Sequence, residues 1–281
     1  MRSTCGAASG VQLPARVQTY LEALVRTCAD RSSLVSVVIF GSAARGSFSA
    51  DVSDVDLIIV LSDAATRDER RQLGEDVARL ETLHGLRAAT PRSPGALKTR
   101  IERAVGHGFS CFCCTRADLL SGDVARVLNL HPLEALCVDR IVFASIVASA
   151  VTVWGEDLLP RVPVPSVRRL DVFKALFAFS GALVVSAATF PMLPDATKYA
   201  MGVLKHSVHA CFFCYHRRTA TLEEEVAFFN GRLGASRTLV ELLSLRGQYR
   251  RSFLFVIRCL PAMVRLHLQT ARENRFPRNV V

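Results

Sequence analysis

Two aspartates, Asp54 and Asp56, stand at the start of a hydrophobic run in the segment Val37–Leu61, VVIFGSAARGSFSADVSDVDLIIVL. Side chains two apart on a strand leave on one face, so both carboxylates point one way while Val55 and Leu57 turn toward a core. Adjacent carboxylates repel each other and lose hydration, and a cation relieves both costs. A hard divalent ion with oxygen ligands, Mg²⁺ above all, suits them. Asp54 alone would pass for a turn residue, but Asp56 lies within Val, Leu and Ile, where an unpaired aspartate is disfavoured. Upstream, Gly41-Ser42 directly follows the run Leu34–Phe40. Glycine lets the chain turn sharply and approach a ligand closely, and Ser42 falls where a helix N-terminus could take a phosphate. A phosphate cradle next to metal-binding carboxylates suggests nucleotide chemistry.

The elements that must position these groups are legible around them. Pro14, Val17, Leu21, Leu24, Val25 and Cys28 repeat with helical period and lead into a strand over Leu34–Phe40. A second strand begins at the aspartates and ends at Leu61. Leu73, Val77, Leu80 and Leu83 then mark one face of an amphipathic helix over Ala64–His84, closed by Gly85. Leu86–Thr90 and Phe109–Cys114 are candidate strands, and Leu133–Trp154 reads as an apolar helix.

Gly41, Ser42, Arg45, Gly46, Ser53, Asp54, Asp56 and Leu57 together have the form GS-x-x-x-G…SD-x-DL. This resembles the DNA polymerase β-type nucleotidyltransferase superfamily, in particular its small aminoglycoside adenylyltransferase-like and minimal members. The resemblance implies an α+β fold, with a mixed sheet and flanking helices followed by an all-α bundle that closes a cleft and selects the acceptor. It also implies that Gly41 and Ser42 hold a triphosphate, that Asp54 and Asp56 are catalytic and bind Mg²⁺, and that Arg45 offsets developing charge. One part of the family pattern is missing. A third carboxylate normally sits on a later strand as general base, yet Leu86–Thr90 and Phe109–Cys114 carry none. Asp118 and Asp123 fall at a turn and a helix start, and Glu81 and Glu102 on helices. General-base catalysis contributes about 10²–10⁴ in rate, so substrate or water could carry that role at a cost.

Pro160, Pro163 and Pro165 break the chain, dividing a nucleotidyltransferase domain over 12–162 from a helical domain over 163–281. Helical patterns follow over Leu170–Phe190, Ala196–Arg218, Leu222–Leu245 and Tyr249–Thr270, with Thr221 and Glu224 forming a capping box. Ala175–Leu193 is uncharged and nearly long enough to span a bilayer, but Ser180, Gly181, Ser186, Thr189 and Pro191 dilute it, and a buried central helix of a bundle is the expectation. Lys198 and Lys205 lie seven apart on one helical face and are nucleotide-binding candidates. The 281-residue chain has a net charge of +10, which favours anionic partners: nucleotides, and nucleic acid through the arginines after Leu245. Nine cysteines without an export signal read as reduced thiols of a cytoplasmic protein, better placed in the core than on zinc. The activity expected is Mg²⁺-dependent transfer of a nucleoside monophosphate from a nucleoside triphosphate, ATP by preference, to a hydroxyl of a small molecule. Transfer to protein or RNA, and a nucleotide-binding regulator lacking the third acid, are the alternatives.

Overall fold

A computed structural model describes residues 13–29, 31, 33–46, 55–86, 111–130 and 139–274. The chain divides into two compact units. The first holds helix α1 (Ala15–Ala29), strand β1 (Leu34–Phe40), the short helix α2 (Gly41–Ala44), strand β2 (Asp56–Leu61), helix α3 (Arg67–Leu83), strand β3 (Cys111–Thr115), the short helices α4 (Arg116–Ser121) and α5 (Val124–Val127), and strand β4 (Val151–Gly155). The sheet runs β3-β2-β1-β4. β1 pairs antiparallel with β2 and with β4, whereas β2 and β3 are parallel. A parallel neighbour requires a crossover, and α3 lies within that connection.

Against one face of this sheet, α1 contributes Val17, Tyr20, Leu21 and Leu24, and α3 contributes Leu73 and Val77. They bury Val37 and Ile39 of β1 and Leu57, Ile59 and Leu61 of β2. Ile58 and Val60, on the opposite face of β2, are buried as well, which accounts for a continuous apolar run rather than alternation. A Thr66–Glu69 capping box starts α3, and Arg16 on α1 donates to the carbonyls of His84 and Gly85 at its end. Those two ties fix the helical layer beneath the strands.

The second unit contains helices α6 (Arg140–Ser149, nearly all of it), α7 (Arg169–Thr189), α8 (Ala196–His216), α9 (Leu222–Leu233), α10 (Arg237–Gly247) and α11 (Phe253–Glu273). Leu204, Val208, Leu242, Phe255, Cys259 and Met263 lie at its centre. The capping box of Thr221 and Glu224 opens α9 as the spacing indicates.

Three expectations need correction. Leu133–Trp154 is not one helix: α6 ends at Ser149, and Val151, Thr152 and Val153 form β4, since β-branched residues suit a strand beside β1. The pattern over Leu222–Leu245 breaks at Gly234, whose φ of +76° takes the chain out of the helix before Ser236 caps α10. Finally, α7 is not a fully buried central helix, because one of its faces is open to solvent. The strand expected over Leu86–Thr90 falls, beyond Leu86, outside the described residues.

His267 on α11 is buried, its Nδ1 3.1 Å from the Val172 carbonyl and its Nε2 3.1 Å from the Ser207 hydroxyl. Burial pulls its imidazole down to about 4. The unfolded chain, with an ordinary histidine near 6.5, therefore binds a proton over a range where the folded chain does not. Stability from this group is complete above pH 6.5 and is lost as pH falls toward 4, by on the order of 3 kcal/mol. Urea denaturation should show the gap between wild type and His267→Gln narrowing by about that amount from pH 7 to pH 4. A gap that stays constant would contradict the assignment.

Candidate active site

Gly41 and Asp56 meet at one end of the β1–β2 pair. The register sets Phe40 opposite Asp56, so the residue after β1 lies beside the first residue of β2. Gly41 has φ +70°, and an ideal Cβ built on it would stand 1.9 Å from Asp56 Oδ2. Both facts require glycine. The left-handed backbone disfavours any L side chain, and the carboxylate occupies the space a side chain would fill. The Asp56 carboxylate is thus laid against the backbone of the Gly-Ser turn, which unites the two halves of the sequence motif.

Beyond Gly41 the chain makes a single helical turn, closed by the Arg45 N–H donating to the Gly41 carbonyl at 3.2 Å. Ser42 is buried, and Arg45 is half-buried at the end of the turn. With only four residues, α2 has little macrodipole, so what this turn offers an anion is its individual N–H groups rather than a long helix. Val55 and Leu57, the neighbours of Asp56, are buried in the core, while Asp56 itself is half-buried. Asp54 and Ser53 lie outside the described residues.

The donor set at Asp56 suits a divalent ion of the magnesium type. Such an ion is held by one or two carboxylates and completes its shell with substrate phosphates and water. Among the described residues, no group of three or more His, Cys, Asp or Glu side chains is placed to hold a metal alone.

No third carboxylate appears beside Asp56 among the described residues. β3, the strand parallel to β2, reads Cys111–Thr115, CFCCT. Its register pairs Leu57 with Cys111 and Ile58 with Phe112, which puts Phe112 on the Asp56 face, and its ring stacks on Phe40 with centroids 6.2 Å apart. Ser110, the residue before Cys111 in sequence, lies outside the described residues, as does Glu102. Glu81 is buried on α3 with Tyr20 and Cys111, in the layer against the other face of the sheet. There it adds to the burial that drives the Tyr20 hydroxyl upward. Asp118 starts α4 and pairs with Arg70 at 3.6 Å, and Asp123 caps α5. Asp118 and Asp123 thus hold the starts of their helices.

Lys198 and Lys205 both lie on α8, in the helical unit. The Lys198 ammonium is 3.6 Å from Asp195 and sits over the Tyr249 ring, and Lys205 is half-buried. Many arginines after Leu245 serve the helical unit internally. Arg250 and Arg258 approach Glu241, Arg265 donates to the Leu233 carbonyl, and Arg251 lies over the Phe190 ring. Much of the positive surface expected to meet nucleic acid is therefore engaged within the unit itself. Cys28, Cys113, Cys114, Cys211, Cys214 and Cys259 are buried free thiols, and burial pushes Cys114 and Cys211 up to about 12. Cys28, Cys114, Cys211, Cys214 and Cys259, all raised by burial, pack as small apolar groups rather than as reactive ones, whereas the hydrogen bond with Cys111 lowers Cys113.

Residues 21–90 match the family model described as a nucleotidyltransferase domain. That stretch runs from α1 through the Gly-Ser turn and Asp56 to beyond α3, so the first unit carries a nucleotidyltransferase domain. No curated protein matches the sequence. Among solved structures, the chain is similar to the spectinomycin adenyltransferase AAD(9) from Enterococcus faecialis, crystallised with ATP and spectinomycin. The likeness has a TM-score of 0.52 at 10% identity and covers 93% of this chain and 100% of that one, so the fold is shared although the sequences have diverged almost completely.

Gly41→Ala should leave a folded protein whose nucleotide-dependent turnover falls at least a hundredfold (a rough estimate), because the carboxylate must move from its seat. Steady-state kinetics alongside circular dichroism test this, and unchanged turnover in a folded variant would contradict the assignment.

Proposed function

We propose that this protein transfers the nucleoside monophosphate of a nucleoside triphosphate, ATP by preference, to a hydroxyl of a small molecule, with Mg²⁺ as the required ion. The observation that carries the reading is the Asp56 carboxylate seated against the Gly41 backbone. In the reaction the acceptor oxygen bonds to the α-phosphorus, the bond to the bridging oxygen breaks, and pyrophosphate leaves. The acceptor proton passes to water or to substrate. Bound Mg²⁺ would neutralise phosphate charge, with Asp56 and, by the resemblance, Asp54 as its protein ligands. Gly41 and Ser42 position the triphosphate through backbone N–H groups, and Arg45 supplies positive charge at the end of the same turn. Such catalysis consists mainly of positioning and charge stabilisation, which a tight turn and carboxylates can deliver. The choice of ATP and of a small-molecule acceptor is supported by AAD(9), whose crystals held ATP and spectinomycin. Lys198 and Lys205 are not needed for this account, and Lys198 already has an acidic partner.

The carboxylate-free β3 favours a second reading, a protein that binds nucleotide without turning it over. Pyrophosphate release separates the two. Purified protein given Mg²⁺, each nucleoside triphosphate and a pool of aminocyclitol and other polyol acceptors should release pyrophosphate, and Asp56→Asn should reduce the rate at least about a hundredfold. Nucleotide binding without release from any acceptor would establish the second reading.

A further inference from the structure

Two of the thiols on β3 lie in contact. Cys111 and Cys113 are two residues apart, so both leave the strand toward the α1–α3 layer, and their Sγ atoms form a hydrogen bond of 3.9 Å. The Cys111 thiol donates, which favours a thiolate on Cys113 against the effect of burial, and the guanidiniums of Arg70 and Arg31 favour it further. The same bond holds Cys111 in its protonated form. Cys111 is half-buried and Cys113 is 6% exposed, so the pair is open to small reagents alone. A thiolate beside a second thiol and near positive charge is the setting in which cysteines oxidise selectively.

We propose that Cys111 and Cys113 close to a reversible disulfide when the protein meets hydrogen peroxide, and that closure disturbs the Gly41–Asp56 seat through Phe112. The Cys113 sulfur attacks one peroxide oxygen, the O–O bond breaks, and the other oxygen leaves as hydroxide, which takes up a proton to become water. The Cys111 sulfur then attacks the Cys113 sulfur, the S–O bond breaks, and that oxygen leaves as a second water with the Cys111 proton. The two thiols lose two electrons and the peroxide gains them.

The strand itself carries the effect onward. Same-face neighbours on a strand have Cα atoms about 6.5 Å apart, near the upper limit for a disulfide, whose Cβ atoms must come within about 4.5 Å of each other. Closure therefore draws Cys111 and Cys113 together and bows β3, pushing Phe112 out on the opposite face. Because β3 stands at an end of the described sheet, with β2 as its neighbour, a single row of hydrogen bonds resists the bend. The Phe112 ring stacks on Phe40, and Phe40 directly precedes Gly41. A disulfide closed under such strain is readily reduced, which makes the change reversible. Disulfide formation depends on the thiol geometry alone, whereas its effect on nucleotide binding rests on the role proposed for the Gly41–Asp56 turn.

Peptide mass mapping of the full-length protein after peroxide treatment and alkylation tests the first step. The segment holding Cys111, Cys113 and Cys114 should lose two hydrogens and take up one alkyl group, on Cys114. Cys28 of α1 is near enough to interact electrostatically with both thiols, so Cys28→Ser is the control and should leave the disulfide intact. Titration with a non-hydrolysable ATP analogue and Mg²⁺ reads the second step. Oxidation should weaken its affinity at least about tenfold through lost preorganisation, dithiothreitol should restore it, and Cys113→Ser should be insensitive to peroxide. Thiols that stay alkylatable after peroxide, or a disulfide that joins Cys28 instead, overturn the proposal. A Cys111–Cys113 disulfide that leaves the affinity of a nucleotide-binding protein unchanged overturns the coupling to Gly41. Reduced protein that binds no nucleotide defeats the role of the turn, and the coupling with it, while the peptide masses still decide the disulfide.

Discussion

The structure of the catalytic unit depends on one close approach, a carboxylate resting on a peptide backbone that has no side chain in the way. Asp56 begins β2 because Leu57, Ile59 and Leu61 must face the α1–α3 layer, and that register leaves the aspartate on the opposite face. Gly41 leaves β1 with positive φ because only there can the turn pass under the carboxylate. The antiparallel pairing of two short apolar strands therefore brings together residues fifteen apart in sequence. Buried strands hold them there at little cost in flexibility, which is what pre-organised charge stabilisation requires.

The ring of Phe112 on the face that carries Asp56 is the main departure from the family pattern. An acid on the neighbouring strand would compete with the metal carboxylates for cations and raise their protonation, and an apolar ring does neither. In exchange, the protein has no side chain on described β3 to accept the acceptor's proton. On the proposed reading the site works by positioning and by neutralising phosphate charge.

Much of this was legible in the sequence, for definite reasons. The Gly-Ser turn and the aspartate announce themselves because each violates a local preference: glycine after a β-branched strand, and a carboxylate within an apolar one. Strands β1 and β2 and helices α1 and α3 follow from apolar spacing. β4 was hidden because Val151–Trp154 continues the apolar composition of α6, and only its β-branched residues distinguish the two. The break at Gly234 was a single-residue signal inside an otherwise continuous helical pattern. The exposed face of α7 could not be read at all, since a largely apolar helix looks the same whether its second face is covered or open to solvent.

The central claim is that the Gly41–Asp56 contact is where nucleotide and divalent ion bind together. Crystals grown with Mn²⁺ and a non-hydrolysable ATP analogue address it directly, since manganese is located by its anomalous scattering. The account predicts an anomalous peak within coordination distance of an Asp56 oxygen, with the triphosphate lying along the Gly41-Ser42 turn. A nucleotide bound elsewhere, or manganese bound without contact to Asp56, would contradict it.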